Sequence, residues 1–153
     1  MDVISVPVEL ALLLATWPAP DRDEQAFPFV TVDADGFPHV MLLCNAELLA
    51  TDDRGALLVA IVSANARANL DRNGVATLIA ADGAAAHYAK LRVHDTEEHD
   101  HFTVYTCHLV YYKRDSLGIP LRPMDFHATK EIAENERWAT TRTALIRRAG
   151  ESG

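Results

Sequence analysis

The amino-acid sequence predicts an α+β domain built on an antiparallel β-barrel of about six strands, with helices at both ends and one short helix inside. Three observations predict it. Apolar runs of strand length recur along the middle of the chain, separated by turns rich in Gly, Asp and Asn. Most are joined by connections too short for the crossovers of a parallel sheet. Helical spacing of apolar residues is confined to the two ends and one brief internal stretch. At 153 residues, a single domain spanning 1–153 is expected, large enough to bury a real core.

The elements follow in order. Ser5-Val6-Pro7 is expected to open a helix, with Ser5 as its cap and Pro7 in the first turn. Val6, Leu10, Leu13, Leu14 and Trp17 mark its buried stripe, and Pro18 and Pro20 end it. Phe27–Asp33 and His39–Cys44 read as two strands joined by a hairpin at Asp35-Gly36. Asn45–Gly55 is polar and reads as an excursion. Leu57–Val62 is wholly apolar, the pattern of a strand buried on both faces.

Ser63–Arg72 is helix-like but short, and Asn73-Gly74 leads into a strand over Val75–Ala80. Asp82-Gly83 turns into Ala85–Val93. His94–His101 is strongly polar and reads as a solvated loop before a long strand over Phe102–Lys113. A loop containing Gly and Pro, Leu117–Met124, precedes a final helix from about Ala128 to Arg148. Ile132, Ala139 and Ile146 recur at a fixed interval along it, and Arg147 and Arg148 suit the negative end of its dipole.

Composition narrows the function classes. A net charge of -8 opposes non-specific binding to nucleic acid, which needs basic surface against phosphates. No apolar run is long enough to cross a membrane; the nearest, Val6–Ala15, carries Glu9 and has no basic flank. The expected compartment is the cytoplasm. Cys44 and Cys107 lie in apolar strand-like runs and are expected as buried free thiols, not as a zinc site or disulfide.

The stretch Phe27–Val93 carries a resemblance. It runs strand, Asp33-Ala-Asp-Gly-Phe-Pro38 turn, strand, excursion and apolar strand. Then come Ser63-Ala-Asn-Ala-Arg-Ala-Asn-Leu70, Asp71-Arg-Asn-Gly74 and the strand Val75-Ala-Thr-Leu78. In order and spacing this resembles the FMN-binding split-barrel proteins related to pyridoxamine 5′-phosphate oxidase. The resemblance implies a six-stranded antiparallel split β-barrel with flanking helices. It also implies a homodimer with FMN in a groove at the subunit interface, and an oxidoreductase acting on a small-molecule substrate or a nicotinamide nucleotide. Some relatives hold deazaflavin, haem or no ligand, so a sensor or binding module is the alternative. Many members place Lys or Arg four residues before the helix Leu; here that position is Ala66, with Arg67 next to it and rotated by about 100°. The substrate-binding Arg segment that ends the true oxidase is replaced by an amphipathic helix, which argues against vitamin B6 oxidation.

The residues themselves support a phosphate site. A helix start presents amides without intrahelical partners, and these bind phosphate together with the helix dipole. Ser63, Asn65 and Asn69 add neutral groups, and Arg67 adds a planar cationic fork. The same residues serve equally well as an N-cap and a solvated helix face. Lys90 and Tyr88, on one face of a strand, are further candidates for phosphate and ring. For the ring, either Val59 and Ile61 or Ala60 and Val62 form the slot. His94, His99 and His101 offer imidazoles for a metal, but from a polar segment without rigid support, and no metal site is expected. His39, His87, His108 and His127 read as isolated structural histidines, and no catalytic acid or base identifies itself.

Overall fold

The computed structural model describes residues 2–116 and 118–151; Leu117, the first residue of the expected loop, lies outside them. Helix α1 (Val8–Ala15) is followed by β1 (Arg22–Gln25), β2 (Phe27–Val32), β3 (Pro38–Leu43), a 3₁₀ turn (Asn45–Glu47), β4 (Leu48–Ala50) and β5 (Leu57–Ile61). Next come α2 (Ala64–Asn73), β6 (Val75–Ala81), β7 (Ala86–Glu98), β8 (Thr103–Asp115), β9 (Asp125–Ala128), α3 (Lys130–Asn135) and α4 (Trp138–Ala149). Seven strands form one antiparallel sheet in the order β3-β2-β6-β7-β8-β5-β4, and β1 and β9 form a separate two-stranded ribbon.

The sheet has one strand more than expected. The seventh is β4, three residues inside the polar excursion, too short to stand out from their neighbours, which pair with Leu57–Val59. The ribbon was also hidden. Its first strand, Arg-Asp-Glu-Gln, has no apolar alternation, and only the pairing with Asp125–Ala128 makes it a strand.

Strand β5 separates two apolar cores. Leu57, Val59 and Ile61 pack with Leu10, Phe29 and Leu91 on one side. Leu58 and Ala60 pack with Phe102, Val104 and Leu145 on the other. All five residues of β5 are buried, as its unbroken apolar run implies. A third, smaller cluster joins Cys44, Ala46, Ala128 and Trp138.

Three other expectations are corrected. Ser5 does not cap α1: the helix starts at Val8 with Pro7 in the cap position and no side-chain cap bond. The polar segment is not a loop through its whole length, because β7 continues to Glu98, paired with Thr103–Thr106 of β8. Its acids are used by α4, where Arg148 pairs with Asp95 at 2.6 Å and Arg147 pairs with Glu97. The last helix is two helices. Arg137 takes a left-handed conformation (φ 55°) between them, and Thr129 caps the first through Ile132 N–H. The break redirects the chain so that Trp138, Thr141, Leu145 and Ala149 face inward. Ile132 and Ile146, from the expected stripe, are 36% and 54% exposed.

Because Leu145 is fully buried in the core that only α4 closes, Leu145→Ala should destabilise the fold by about 2–5 kcal/mol. Urea unfolding followed by circular dichroism checks this. A loss below about 1 kcal/mol would show that α4 is not part of the cooperative core.

Candidate functional site

Helix α2 is tightly fixed. The Ser63 hydroxyl accepts Ala66 N–H at 3.3 Å. At the other end Gly74, at φ 67°, donates its N–H to the Leu70 carbonyl, the left-handed closure that glycine adopts without strain. Ala66 and Leu70 pack into the first core. The Asn69 amide is buried and donates to the Thr31 hydroxyl and the Asp33 carboxylate, both at 2.9 Å. Tyr105 donates to Asp71 at 2.9 Å, and burial, then the Asp71 carboxylate, pushes its phenol above the usual range.

The six residues expected to hold a cofactor do not converge within one chain. Ser63 stands at the start of α2. Asn65 is exposed, with its amide nitrogen 3.1 Å from His39 Nδ1 and 3.4 Å from Asp33. Arg67 is half-buried on the α2 face toward Tyr105, and its buried Nε has no hydrogen-bond partner among the described residues. Asn69 is spent on anchoring the helix. Lys90 and Tyr88 lie on the opposite face of β7 from Ala89 and Leu91, which pack in the same core as α2. Lys90 sits 4.7 Å over the Tyr111 ring. On its outer side α2 borders a shallow hollow lined by Asp33, Asp35, Asn65 and Arg72, whose two carboxylates disfavour an anion.

The ring expectation is corrected in part. Val59, Ala60 and Ile61 are sealed between the two cores, so none can line a slot. Val62, the last apolar residue before α2, is 46% exposed and lines a cavity of ≈ 410 Å³. The other walls come from β3 (Met41, Leu42, Leu43) and from Phe126, Ile132 and Trp138. Phe126 and Trp138 meet edge-to-face with centroids 6.1 Å apart. This cavity has the size and apolar walls of a small-molecule site.

Glu47 lies in its wall. The carboxylate accepts Cys44 N–H at 3.0 Å, reciprocating the bond from its own N–H to Cys44. Burial pushes the Glu47 carboxyl up to about 6. Burial and then the Glu47 charge push the Cys44 thiol well above its ordinary value, and burial pushes Cys107 up to about 12. Neither thiol is a nucleophile at neutral pH. Glu47 was not singled out from sequence. The Cys44-x-x-Glu47 spacing of a capping box was its one signal, and that reports a backbone role, not a cavity.

The histidines of the polar segment separate. His94 stacks on His108 at 4.4 Å, His99 bonds Glu97 at 2.8 Å, and His101 meets Arg137 at 3.0 Å. Among the described residues the one cluster of three metal-ligating groups is elsewhere, at Glu9, Asp82 and His87. His87 is not isolated: its ring nitrogens are 2.7 Å from Tyr112 Oη and 2.8 Å from Asp82 Oδ2. The bond from His87 holds Asp82 well below the usual carboxylate range. Arg114 holds Glu9 through both carboxylate oxygens. Tyr112 and Arg114 thus already engage two of the three members.

By sequence the chain matches no family model and no curated protein. By fold it is similar to several solved structures. HupZ from Group A Streptococcus aligns with a TM-score of 0.56 at 16% identity, over 76% of this chain and 99% of HupZ. A homologue of nitrilotriacetate monooxygenase component B from Mycobacterium thermoresistibile aligns at 0.53 and 10% identity, over 76% and 79%. The styrene monooxygenase flavin reductase of Pseudomonas putida S12 aligns at 0.50 and 10% identity, over 61% and 80%. These neighbours are split-barrel proteins of the flavin reductase-like and pyridoxamine 5′-phosphate oxidase-like kind; at such identities the likeness is one of fold alone, with which the curled antiparallel sheet is consistent.

The raised Glu47 carboxyl has a consequence for stability. The folded protein holds that proton more readily than the unfolded chain. Its contribution therefore favours the fold below the unfolded value and is lost as pH rises through about 6. Glu47→Gln should remove this loss, so that the fall in stability from acid to mild alkali is smaller in the variant than in the parent by about 2 kcal/mol. Urea titrations on both sides of neutrality test it, and parallel pH profiles for parent and variant would contradict it.

Proposed function

We propose that the chain is a flavin-binding split-barrel protein, an oxidoreductase using FMN, that acts on a small molecule or a nicotinamide nucleotide. The observation that carries this reading is the continuity of Val62 with Ser63. The same few residues form the rim of an apolar cavity and then the capped first turn of a helix. In this reading the flavin phosphate meets the first amides of α2, Ser63 and the Arg67 guanidinium, whose Nε has no hydrogen-bond partner among the described residues. Leu42 and Val62, 50% and 46% exposed, supply apolar surface for the ring. Bound flavin would supply the electron chemistry, and the protein supplies binding, orientation and exclusion of water.

A homodimer belongs to the same proposal. The outward face of the sheet carries Val30, Val40, Leu42 and Tyr111, with Val40 58% exposed at the sheet's edge. Lys90 and Tyr88 stand on the outward face of β7. A second copy packed there would bury apolar surface that a monomer leaves in water. It also offers the one way for Lys90 and Tyr88 to join a site with Ser63 and Arg67, since within a chain they are divided by the sheet.

A second reading rests on Ala66. Position 66 is fully buried in the first core, so the cation that related helices carry there has no counterpart at that point. A ligand other than FMN, such as deazaflavin or haem, or none, fits that departure.

Purified protein supplied with FMN should acquire a bound-flavin absorbance spectrum and a raised melting temperature. Arg67→Ala should weaken binding by about 10- to 100-fold, the worth of a charge-assisted hydrogen bond. Binding of haem or deazaflavin with none of FMN would favour the second reading. Sedimentation at micromolar concentration should show a dimer, which Val40→Asp converts to monomer; a monomeric parent would defeat the shared site.

A further inference from the structure

We propose that the cavity between β3, β9 and the α3–α4 corner is a binding site for a small lipophilic ammonium ion, an amine with an aromatic or alkyl body and no phosphate. This deepens the functional reading by naming a substrate class, yet the binding itself needs no flavin.

The charge of the lining decides what can enter. Three ionisable carboxyl groups line the cavity, from Glu47, Asp125 and Glu136, and no Lys, Arg or His does so among the described residues. Arg137, adjacent in sequence, borders a separate hollow with Lys130 on the far side of Trp138, and its guanidinium is directed to His101. An anion entering the cavity would meet carboxylates with no compensating donor, whereas a cation would be drawn in.

The walls then select the kind of cation. Beyond the Leu42 and Val62 rim, Ile132, Phe126 and Trp138 offer apolar surface that a hydrated metal ion cannot use. The edge-to-face pair of Phe126 and Trp138 adds ring faces of the type that hold organic ammonium groups. Glu47 is the polar anchor. It is largely buried, fixed by Cys44 N–H and reluctant to ionise alone. An ammonium group beside it would restore the electrostatic partner that burial removed. Asp125 and Glu136 are exposed and steer the approach, so the inner contact falls to Glu47.

The test uses two probes of nearly the same shape and opposite charge, 2-phenylethylammonium and 3-phenylpropanoate. Both are titrated by calorimetry into flavin-free protein at about pH 8, where Glu47 is ionised. The ammonium probe should bind saturably at one site while the carboxylate probe gives no heat of binding. Glu47→Gln should weaken the ammonium probe by at least about tenfold. Glu136→Gln, at the exposed mouth, should have a smaller effect. Equal binding of both probes, no binding of either at millimolar concentration, or unchanged affinity in Glu47→Gln would each overturn the proposal. Since no flavin is present, failure here is separable from failure to bind FMN.

Discussion

The burial of β5 on both faces is the constraint from which the rest of the structure follows. A strand whose five residues are all closed to water needs an apolar layer on each side. The barrel interior provides the first, with α1 and α2 closing it. The second must come from elsewhere in the chain, and α4 supplies it. Burial ends abruptly at Val62, and within one residue the backbone enters α2. The abrupt change sets an exposed apolar rim directly beside a helix start, so the candidate site is a by-product of how the most apolar segment terminates.

Once β5 is sealed, α2 cannot drift. Asn69 ties it to β2, Tyr105 reaches it from β8 through Asp71, and Gly74 turns it sharply into β6. A hydrogen-bonded helix of this kind presents its first turn without the ordering cost a mobile loop would carry. The corner at Arg137 does similar service for the cavity. Trp138 and Leu145 are both carried by α4, two turns apart on its buried face. The left-handed residue lets Trp138 close the cavity wall while Leu145 completes the layer behind β5.

Much of this was legible in the residues. The β2–β3 hairpin, the doubly buried β5, the Ser63 cap and the Gly74 exit follow from local rules that the tertiary structure leaves intact. The β1–β9 ribbon was not legible, because polar β1 has no pattern of its own and owes its form to a partner about a hundred residues away. Regular apolar spacing also misled at Ile132, Ala139 and Ile146, since a periodic stripe carries no sign of a break inside it. The candidate site was readable only as a place. Sequence could point to Ser63 and Arg67, but which strand face held Lys90, or that Glu47 faced a cavity, depends on contacts between distant segments. Asn69 shows the converse: a residue suited to ligand chemistry that the fold uses as a brace.

The acidic second half of β7 bears on a different matter, the behaviour of the molecule in a crowd. The β6 ladder stops at Val75–Arg92, so from His94 onward β7 pairs with β8 alone and has an open flank. Such a flank is a template on which another chain's strand can add. Here it carries Asp95, Glu97 and Glu98, with Arg147 and Arg148 of α4 clamped across two of them. An incoming strand would have to strip water from these charges and break their ion pairs. The segment that reads as a polar stretch of histidines and acids thus raises the cost of strand addition along this flank.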